Sequence, residues 1–278
     1  VLGLKGGHSG LEISAGRGNA IKLMTRLLHE LNYKFGIRLT SLNGGSKHNA
    51  IPRETFAVIR VPKKIAADVL NYIENYNKIV QSELSTAEPN LNVSASEIKS
   101  KSKVIDKATA KNLIDSLYSV TNGVVKMSAD IEGLVETSTN LAVVVTKGKV
   151  IEVTLSQRSS VESEKKDISN SITALFRLAK ADVKQGDGYP GWKPDVHSPV
   201  LGVTKKVYNQ MYGGEPEVKA IHAGLECGII KERYLDMDMI SFGPTIFGAH
   251  SPDERVQIST VSKFWDLLKA VLKNIPSN

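Results

Sequence analysis

Two stretches of this sequence predict the same order of secondary-structure elements, and that repetition limits the folds open to the chain. Residues 1–98 indicate strand, helix, strand, strand, helix and strand from their hydrophobic periodicity and turn residues. Residues 104–185 indicate the same order, although the two sequences do not visibly align. We therefore predict an α/β fold whose first domain, residues 1–185, contains two tandem ferredoxin-like halves.

The elements predicted for these halves have definite bounds. The first half contains a strand at Val1–Leu4, a helix at 16–33, strands at Ile37–Leu42 and Thr55–Val61, a helix at 65–80 and a strand at Leu91–Ile98. The second half contains a helix at Lys107–Ser119, strands at Leu134–Thr146 and Lys149–Ser156, a helix at 168–179 and a strand near Asp182–Gln185.

The composition changes at Gly186, so residues 186–278 are predicted to form a second region. The predicted elements are a helix at Val200–Tyr212, strands at Glu217–Ile221 and Asp238–Phe242, and a last helix capped by Ser259 or Thr260. These elements are too few to cover both faces of a parallel sheet. Because Val1–Leu4 also resembles the middle of a strand, we expect the chain to be a fragment of a longer α/β protein.

Charge and composition exclude several classes of protein. The formal net charge is +7, but the lysines are scattered among acidic residues, which indicates a solvated surface rather than a nucleic-acid site. No apolar run is long enough to cross a bilayer. A single cysteine, Cys227, excludes intrachain disulfides and fits a reducing, cytoplasmic compartment.

One loop near the C-terminus is typical of a functional site. His250 lies between glycine, proline and charged residues in the segment Gly248–Arg255, where loop backbone can present an imidazole to a metal or a substrate. One histidine does not make a metal site, so the partners must come from elsewhere.

Several short motifs, in the same order along the whole chain, resemble the M20 family of zinc peptidases, and within it the aminoacyl-histidine (Xaa-His) dipeptidases, or bacterial carnosinases. The segments that carry the resemblance are Gly6–Gly10, His48–Pro52, Gln157–Ser160, Gly188–Pro194, His222–Gly228 and Gly248–Pro252.

The resemblance implies a different role for each of the two regions. Residues 1–185 would be a lid domain, and residues 186–278 the closing segment of a catalytic domain that binds two Zn²⁺ ions, for which Mn²⁺ or Co²⁺ can substitute. His250 would be the last metal ligand, while the family's earlier ligands have no match in this chain. The resemblance also implies a cytoplasmic enzyme, with a homodimer as an option.

Two lid residues have implied roles in catalysis and binding. His8 would stabilise the oxyanion that forms when a metal-activated water attacks the peptide bond; the alternative is that it bonds a neighbouring carbonyl. Arg158 would grip the substrate carboxylate in a two-pronged contact; the alternative is a salt bridge at the end of a strand.

Two further residues are predicted to contact the substrate. Asn49 would donate to the same carboxylate or to the scissile carbonyl, and its alternative role is to stabilise its own turn. Gly224 would let the backbone approach the dipeptide, and its alternative is an ordinary turn glycine. His222 and Glu226 are weaker candidates.

The predicted function is hydrolysis of small dipeptides, Xaa-His in particular, by an enzyme of which this chain is an incomplete and inactive part. Another M20 hydrolase, such as a tripeptidase or an N-acyl amino-acid deacylase, remains an alternative. A non-catalytic binding or assembly module is a third.

Overall fold

A computed structural model describes residues 1–186, 188, 190–193, 195–218, 226–247 and 254–276. The strands are β1 (Gly7–His8), β2 (Arg38–Gly44), β3 (Ala50–Ile51), β4 (Thr55–Arg60), β5 (Gly123–Met127), β6 (Val135–Lys147), β7 (Val150–Ser159), β8 (Ile246–Phe247) and β9 (Arg255–Val256). The helices are α1 (Ala20–Phe35), α2 (Ala66–Glu83), α3 (Lys107–Ser119), α4 (Glu162–Leu178), α5 (Pro199–Tyr212), α6 (Glu226–Arg233) and α7 (Ser259–Asn274), with a 3₁₀ turn at Lys63–Ile65.

The described residues divide into two compact units, the first of which comprises Val1–Gly188. Its main sheet has five antiparallel strands, with the neighbours β4-β2-β6-β5 and with β7 on the remaining edge of β6. A separate ribbon pairs β1 with β3. The mixed α/β class predicted from the sequence is thus confirmed, whereas the assignment of residues 1–185 as two tandem lid halves stays a prediction.

One hydrophobic core joins this sheet to helices α1 to α4. Along β7, Ile151, Val153 and Leu155 pack against the core, while Glu152 and Thr154 are exposed. Because side chains alternate between the faces of a strand, the even-numbered residues of β7 face away from the helices. That outer face is where the candidate site lies.

Local signals explain where the helices begin and end. Asn19 caps α1, since its side-chain oxygen accepts hydrogen bonds from the amides of Ile21 and Lys22. Gly36 ends the helix with a φ of 62°, a left-handed conformation that favours glycine. In the same way Asp106 caps α3, whose bounds agree with the predicted Lys107–Ser119.

Five predicted details in the described residues are wrong. The strands predicted at Val1–Leu4, Leu91–Ile98 and Asp182–Gln185 do not form; only an isolated bridge joins Asn92 to Leu2. Residues 238–242 are irregular and no more than half-buried, so they do not form the predicted buried strand. Neither Ser259 nor Thr260 caps α7, because the Thr260 hydroxyl donates to the carbonyl of Gln257 and accepts from the amide of Thr245.

The second unit contains α5 to α7, β8 and β9. Its small core is formed by Val207 on α5 and by Leu267 and Val271 on α7. The carboxylate of Asp238 accepts hydrogen bonds from the Ser198 hydroxyl (2.6 Å) and the Val200 amide (2.8 Å), which holds the start of α5. None of the described helices is long and apolar enough to cross a membrane.

Candidate functional site

The β1–β3 ribbon brings two of the predicted site residues together. His8 lies directly opposite Ala50 in this antiparallel pair. Just beyond the pair, the amide of Ser9 donates a 2.9 Å hydrogen bond to the carbonyl of Asn49. His8 and Asn49, which are far apart in sequence, are therefore neighbours.

The imidazole of His8 has a defined orientation. Its Nδ1 accepts hydrogen bonds from the backbone amides of Gly10 (3.2 Å) and Leu11 (3.3 Å). A nitrogen that accepts from N–H groups carries no proton of its own, so the neutral ring carries its proton on Nε2. The ring thus bonds neighbouring amides through Nδ1 and holds a donor at Nε2.

The ion pair between Glu12 and Arg17 fixes the backbone at His8. The Glu12 carboxylate accepts a 2.7 Å hydrogen bond from the His8 amide through Oε2 and pairs with Arg17 through Oε1 (2.5 Å). Arg17 also donates to the carbonyl of Gly6. Sequence reasoning did not single out these two residues, which lie two and seven residues after the glycine-rich segment Gly6–Gly10.

Arg158 carries a partly buried positive charge on the outer face of β7, opposite Ser138 on β6. Its Nε is buried and has no acceptor, and no carboxylate in the described part of the chain forms an ion pair with it. Burial lowers the pKa of the guanidinium. The alternative of an ordinary salt bridge therefore has no support among the described residues.

Gly10 lies where His8 and Arg158 converge. A β-carbon at position 10 would lie 3.0 Å from Cε1 of His8 and 3.2 Å from Nη1 of Arg158. The imidazole and the guanidinium therefore flank one point on the backbone. Three predicted residues, His8, Asn49 and Arg158, thus belong to one neighbourhood of the first unit.

Asn49 lies in the turn before β3, where the Ala50 amide donates to the carbonyl of Lys47 (3.2 Å). Its φ is not positive, so the left-handed turn conformation that asparagine tolerates is not used here. Asn49 is half-buried beside the ribbon.

Gly224 and His250 lie outside the described residues, as does His222. Glu226 is described and is the first residue of α6. Within the described ranges, no group of three or more histidine, cysteine, aspartate or glutamate side chains could hold a metal ion. The described residues therefore do not by themselves fit a metal centre.

A run of polar residues in the N-terminal half of β6 borders this neighbourhood. Its members are buried, with exposed fractions of 8% for Glu136 and 1% for each of the next four residues, Thr137, Ser138, Thr139 and Asn140. Thr137 and Ser159 share a hydrogen bond of 2.9 Å, and Gln157 donates to Thr139 (3.3 Å). Buried polar side chains require partners, and five consecutive ones within a strand are the sequence signal that could have indicated this site.

Comparisons with known proteins agree with this fold. Residues 2–88 match the M20 peptidase dimerisation domain. The chain is 39% identical over 277 residues to the cytosol non-specific dipeptidase of Escherichia coli (strain K12), a match covering 100% of this chain and 57% of that protein.

The crystal structure of aminoacylhistidine dipeptidase from Vibrio alginolyticus has a TM-score of 0.91 and 39% identity with this chain, and the match covers 100% of this chain and 56% of that one. The chain thus spans little more than half the length of these relatives. Residues 2–88 are therefore similar to an M20 peptidase dimerisation domain, and the whole chain is similar to part of two dipeptidases.

Proposed function

We propose that this chain supplies the substrate-binding lid residues of a dipeptide-hydrolysing enzyme, with residues 1–185 as the lid and residues 186–278 as part of a catalytic domain. The observation that carries the proposal is the guanidinium of Arg158, which is partly buried, lies beside His8 and has no acceptor at Nε among the described residues. A desolvated cation without a counter-ion is a site for an anion. The C-terminal carboxylate of a dipeptide is such an anion.

Each residue of the neighbourhood has a role in this proposal. Arg158 binds the substrate carboxylate, and Asn49 donates to the same carboxylate or to the scissile carbonyl. The Nε2–H of His8 donates to the carbonyl oxygen and to the oxyanion that develops from it, where a preorganised donor stabilises the transition state. Gly224, outside the described residues, would let the substrate approach the backbone.

A metal-dependent reaction fits the family, and we propose Zn²⁺ as the metal, with Mn²⁺ or Co²⁺ able to replace it. His250 is proposed as one ligand, on the basis of the sequence resemblance alone. Bound metal would supply an activated water. Because the described residues form no metal cluster, the roles above concern binding and the Nε2 proton only.

The proposed substrates are Xaa-His dipeptides. One relative is named an aminoacylhistidine dipeptidase and the other a non-specific dipeptidase, so a broader dipeptide range is the nearest alternative. Tripeptides and N-acyl amino acids also carry the carboxylate that Arg158 would bind. The cytosolic name of one relative supports a cytoplasmic location for this chain.

Calorimetric titration of the full chain tests the proposal, with alanyl-histidine as the probe and Arg158→Gln as the variant. We expect the variant to bind at least about tenfold more weakly, since it loses a charge-assisted contact. Arg60→Gln is the matched control, because the exposed Arg60 side chain donates to the carbonyls of Ser100 and Ser102. Equal affinity of the wild type and Arg158→Gln would overturn the proposal.

Comparing ligands separates the alternatives. Alanyl-histidine should bind more tightly than alanyl-alanyl-histidine and N-acetyl-histidine if both ends of a dipeptide are recognised. A preference for either competitor would favour the tripeptidase or the deacylase. Binding without hydrolysis after addition of Zn²⁺ or Mn²⁺ agrees with an incomplete enzyme, whereas turnover by this chain alone would contradict that part.

We also propose that the chain forms a homodimer through residues 2–88, the segment that matches a dimerisation domain. Strand β4 lies at an edge of the described sheet and exposes Phe56 (52%). Exposed edges with apolar side chains are typical pairing surfaces. Sedimentation analysis should show a dimer that Phe56→Glu weakens and the control Tyr234→Glu does not; a monomeric wild type would contradict it.

A further inference from the structure

Asn140 lies between the two parts of the candidate site. The β1–β3 ribbon carries His8 and Asn49, whereas Arg158 belongs to the β6–β7 pair. In that pair Asn140 lies opposite Ser156, two residues along β6 from Ser138, which faces Arg158. Residues two apart on a strand point to the same face, so Asn140 and Arg158 share the outer face.

One side-chain hydrogen bond of Asn140 joins these parts. Its Nδ2 donates to the carbonyl of Ala50 at 2.8 Å, and only 1% of the residue is exposed. Ala50 follows Asn49 and lies directly opposite His8. In a buried environment an amide–carbonyl bond is costly to leave unmade, so this contact fixes the ribbon against β6.

We propose that Asn140 is a positioning residue for the substrate. By holding Ala50, it sets the separation between the carboxylate anchor at Arg158 and the donors at His8 and Asn49, and that separation determines the length of peptide that reaches both. This inference rests on the proposed function, and it assigns Asn140 a role in the choice between dipeptides and longer peptides.

The test uses Asn140→Leu, which is similar in shape but has no donor, in the full chain. The control is Asn122→Leu, because Asn122 belongs to the adjoining amide network, where it accepts from the Leu141 amide (2.8 Å) and from Asn19 (3.0 Å). We measure amide hydrogen exchange in the β1–β3 ribbon and the affinities for alanyl-histidine and alanyl-alanyl-histidine.

Asn140→Leu should accelerate exchange in the ribbon and weaken dipeptide binding about tenfold, with a smaller loss for the tripeptide. Asn122→Leu should leave the ribbon and the dipeptide-to-tripeptide ratio as in the wild type. The inference is overturned if Asn140→Leu keeps both the ribbon protection and the ratio of the wild type.

If the wild type binds no dipeptide, the proposed function fails, and hydrogen exchange decides only whether Asn140 holds the ribbon. Faster ribbon exchange in Asn140→Leu than in Asn122→Leu then supports this positioning role, and equal exchange overturns it. If Asn140→Leu does not fold, Asn140→Asp decides. A carboxylate has no proton to donate, so at about pH 8 Asn140→Asp should exchange faster in the ribbon than the wild type; protection equal to that of the wild type overturns the role of the donor.

Discussion

Gly10 lies so close to Arg158 that a β-carbon at position 10 would be 3.2 Å from Nη1 of the guanidinium. Gly10→Val should therefore displace the guanidinium and the neighbouring His8 ring, and weaken alanyl-histidine binding by about tenfold, since well-packed sites tolerate little added volume. Calorimetric titration checks this. Gly186→Val is the control, because nothing lies within 4 Å of a β-carbon there; equal losses in both variants would refute the steric explanation.

Arg158 should contribute little to folding stability, because its guanidinium is partly desolvated and its Nε has no hydrogen-bond partner among the described residues. We expect Arg158→Met to leave the free energy of unfolding unchanged or to raise it by up to about 1 kcal/mol, with a Tm about 2–4 °C higher at most. Thermal and urea unfolding measure both quantities.

The contrasting variant is Arg26→Met, since Arg26 makes a two-pronged contact with Glu83 (2.8 and 3.1 Å). It should lower the free energy of unfolding by up to about 1 kcal/mol. Destabilisation of Arg158→Met beyond that of Arg26→Met would show that Arg158 has a structural role.

Glu88 is a buried carboxylate, 1% exposed, that accepts hydrogen bonds from the amides of Lys5 (2.7 Å) and Gly18 (2.9 Å). These amides flank the segment that contains His8. Glu88→Ala leaves both amides without an acceptor, so the free energy of unfolding should fall by about 3 kcal/mol. Glu88→Gln, which keeps one acceptor oxygen, should lose less; equal losses in urea unfolding would be inconsistent with this account.

Lys22 donates to the carbonyls of Leu117, Tyr118 and Val120 at the end of α3 (3.0, 2.6 and 2.8 Å). Burial lowers the pKa of its ammonium group from 10.5 to about 8. Between these values the unfolded chain holds the proton and the folded chain releases it, so the contribution of Lys22 to stability rises with pH, by up to about 1.4 kcal/mol per unit.

Lys22→Met removes this dependence. The free energy of unfolding of the wild type minus that of the variant should therefore increase between about pH 8 and about pH 10. Urea unfolding at several pH values measures this difference. A constant difference would exclude a lowered pKa for Lys22.

The sequence is sufficient to predict those helices and strands whose signals lie within the element itself. Helix α3 has its predicted bounds, and the structure shows that its signals are local: Asp106 caps its start, and its buried residues recur at helical spacing. Strand β5 was missed, since its short exposed sequence has little periodicity and pairs only with β6. The strand predicted at Leu91–Ile98 does not form. Its apolar residues Leu91 and Val93 pack in the core, which explains the strand-like pattern, but the backbone pairs with another segment only at Asn92.

The candidate site was predicted as separate residues but not as an arrangement. His8, Asn49 and Arg158 were each identified from short motifs, and their proximity depends on the pairing of β1 with β3 and on the close approach of Gly10 to Arg158. Asn140 was not identified, because its role depends on a contact with a residue ninety positions away in the chain. No periodicity in a sequence reports such a contact.

The polar run in β6 has a consequence for how the sheet assembles. A strand aligned by apolar contacts alone can slide by two residues at small cost, because one aliphatic side chain replaces another. Here Thr137 shares a hydrogen bond with Ser159, and Thr139 accepts one from Gln157. A change of register would separate these partners. These side-chain hydrogen bonds therefore select one register between β6 and β7, and that register places Arg158 opposite Ser138.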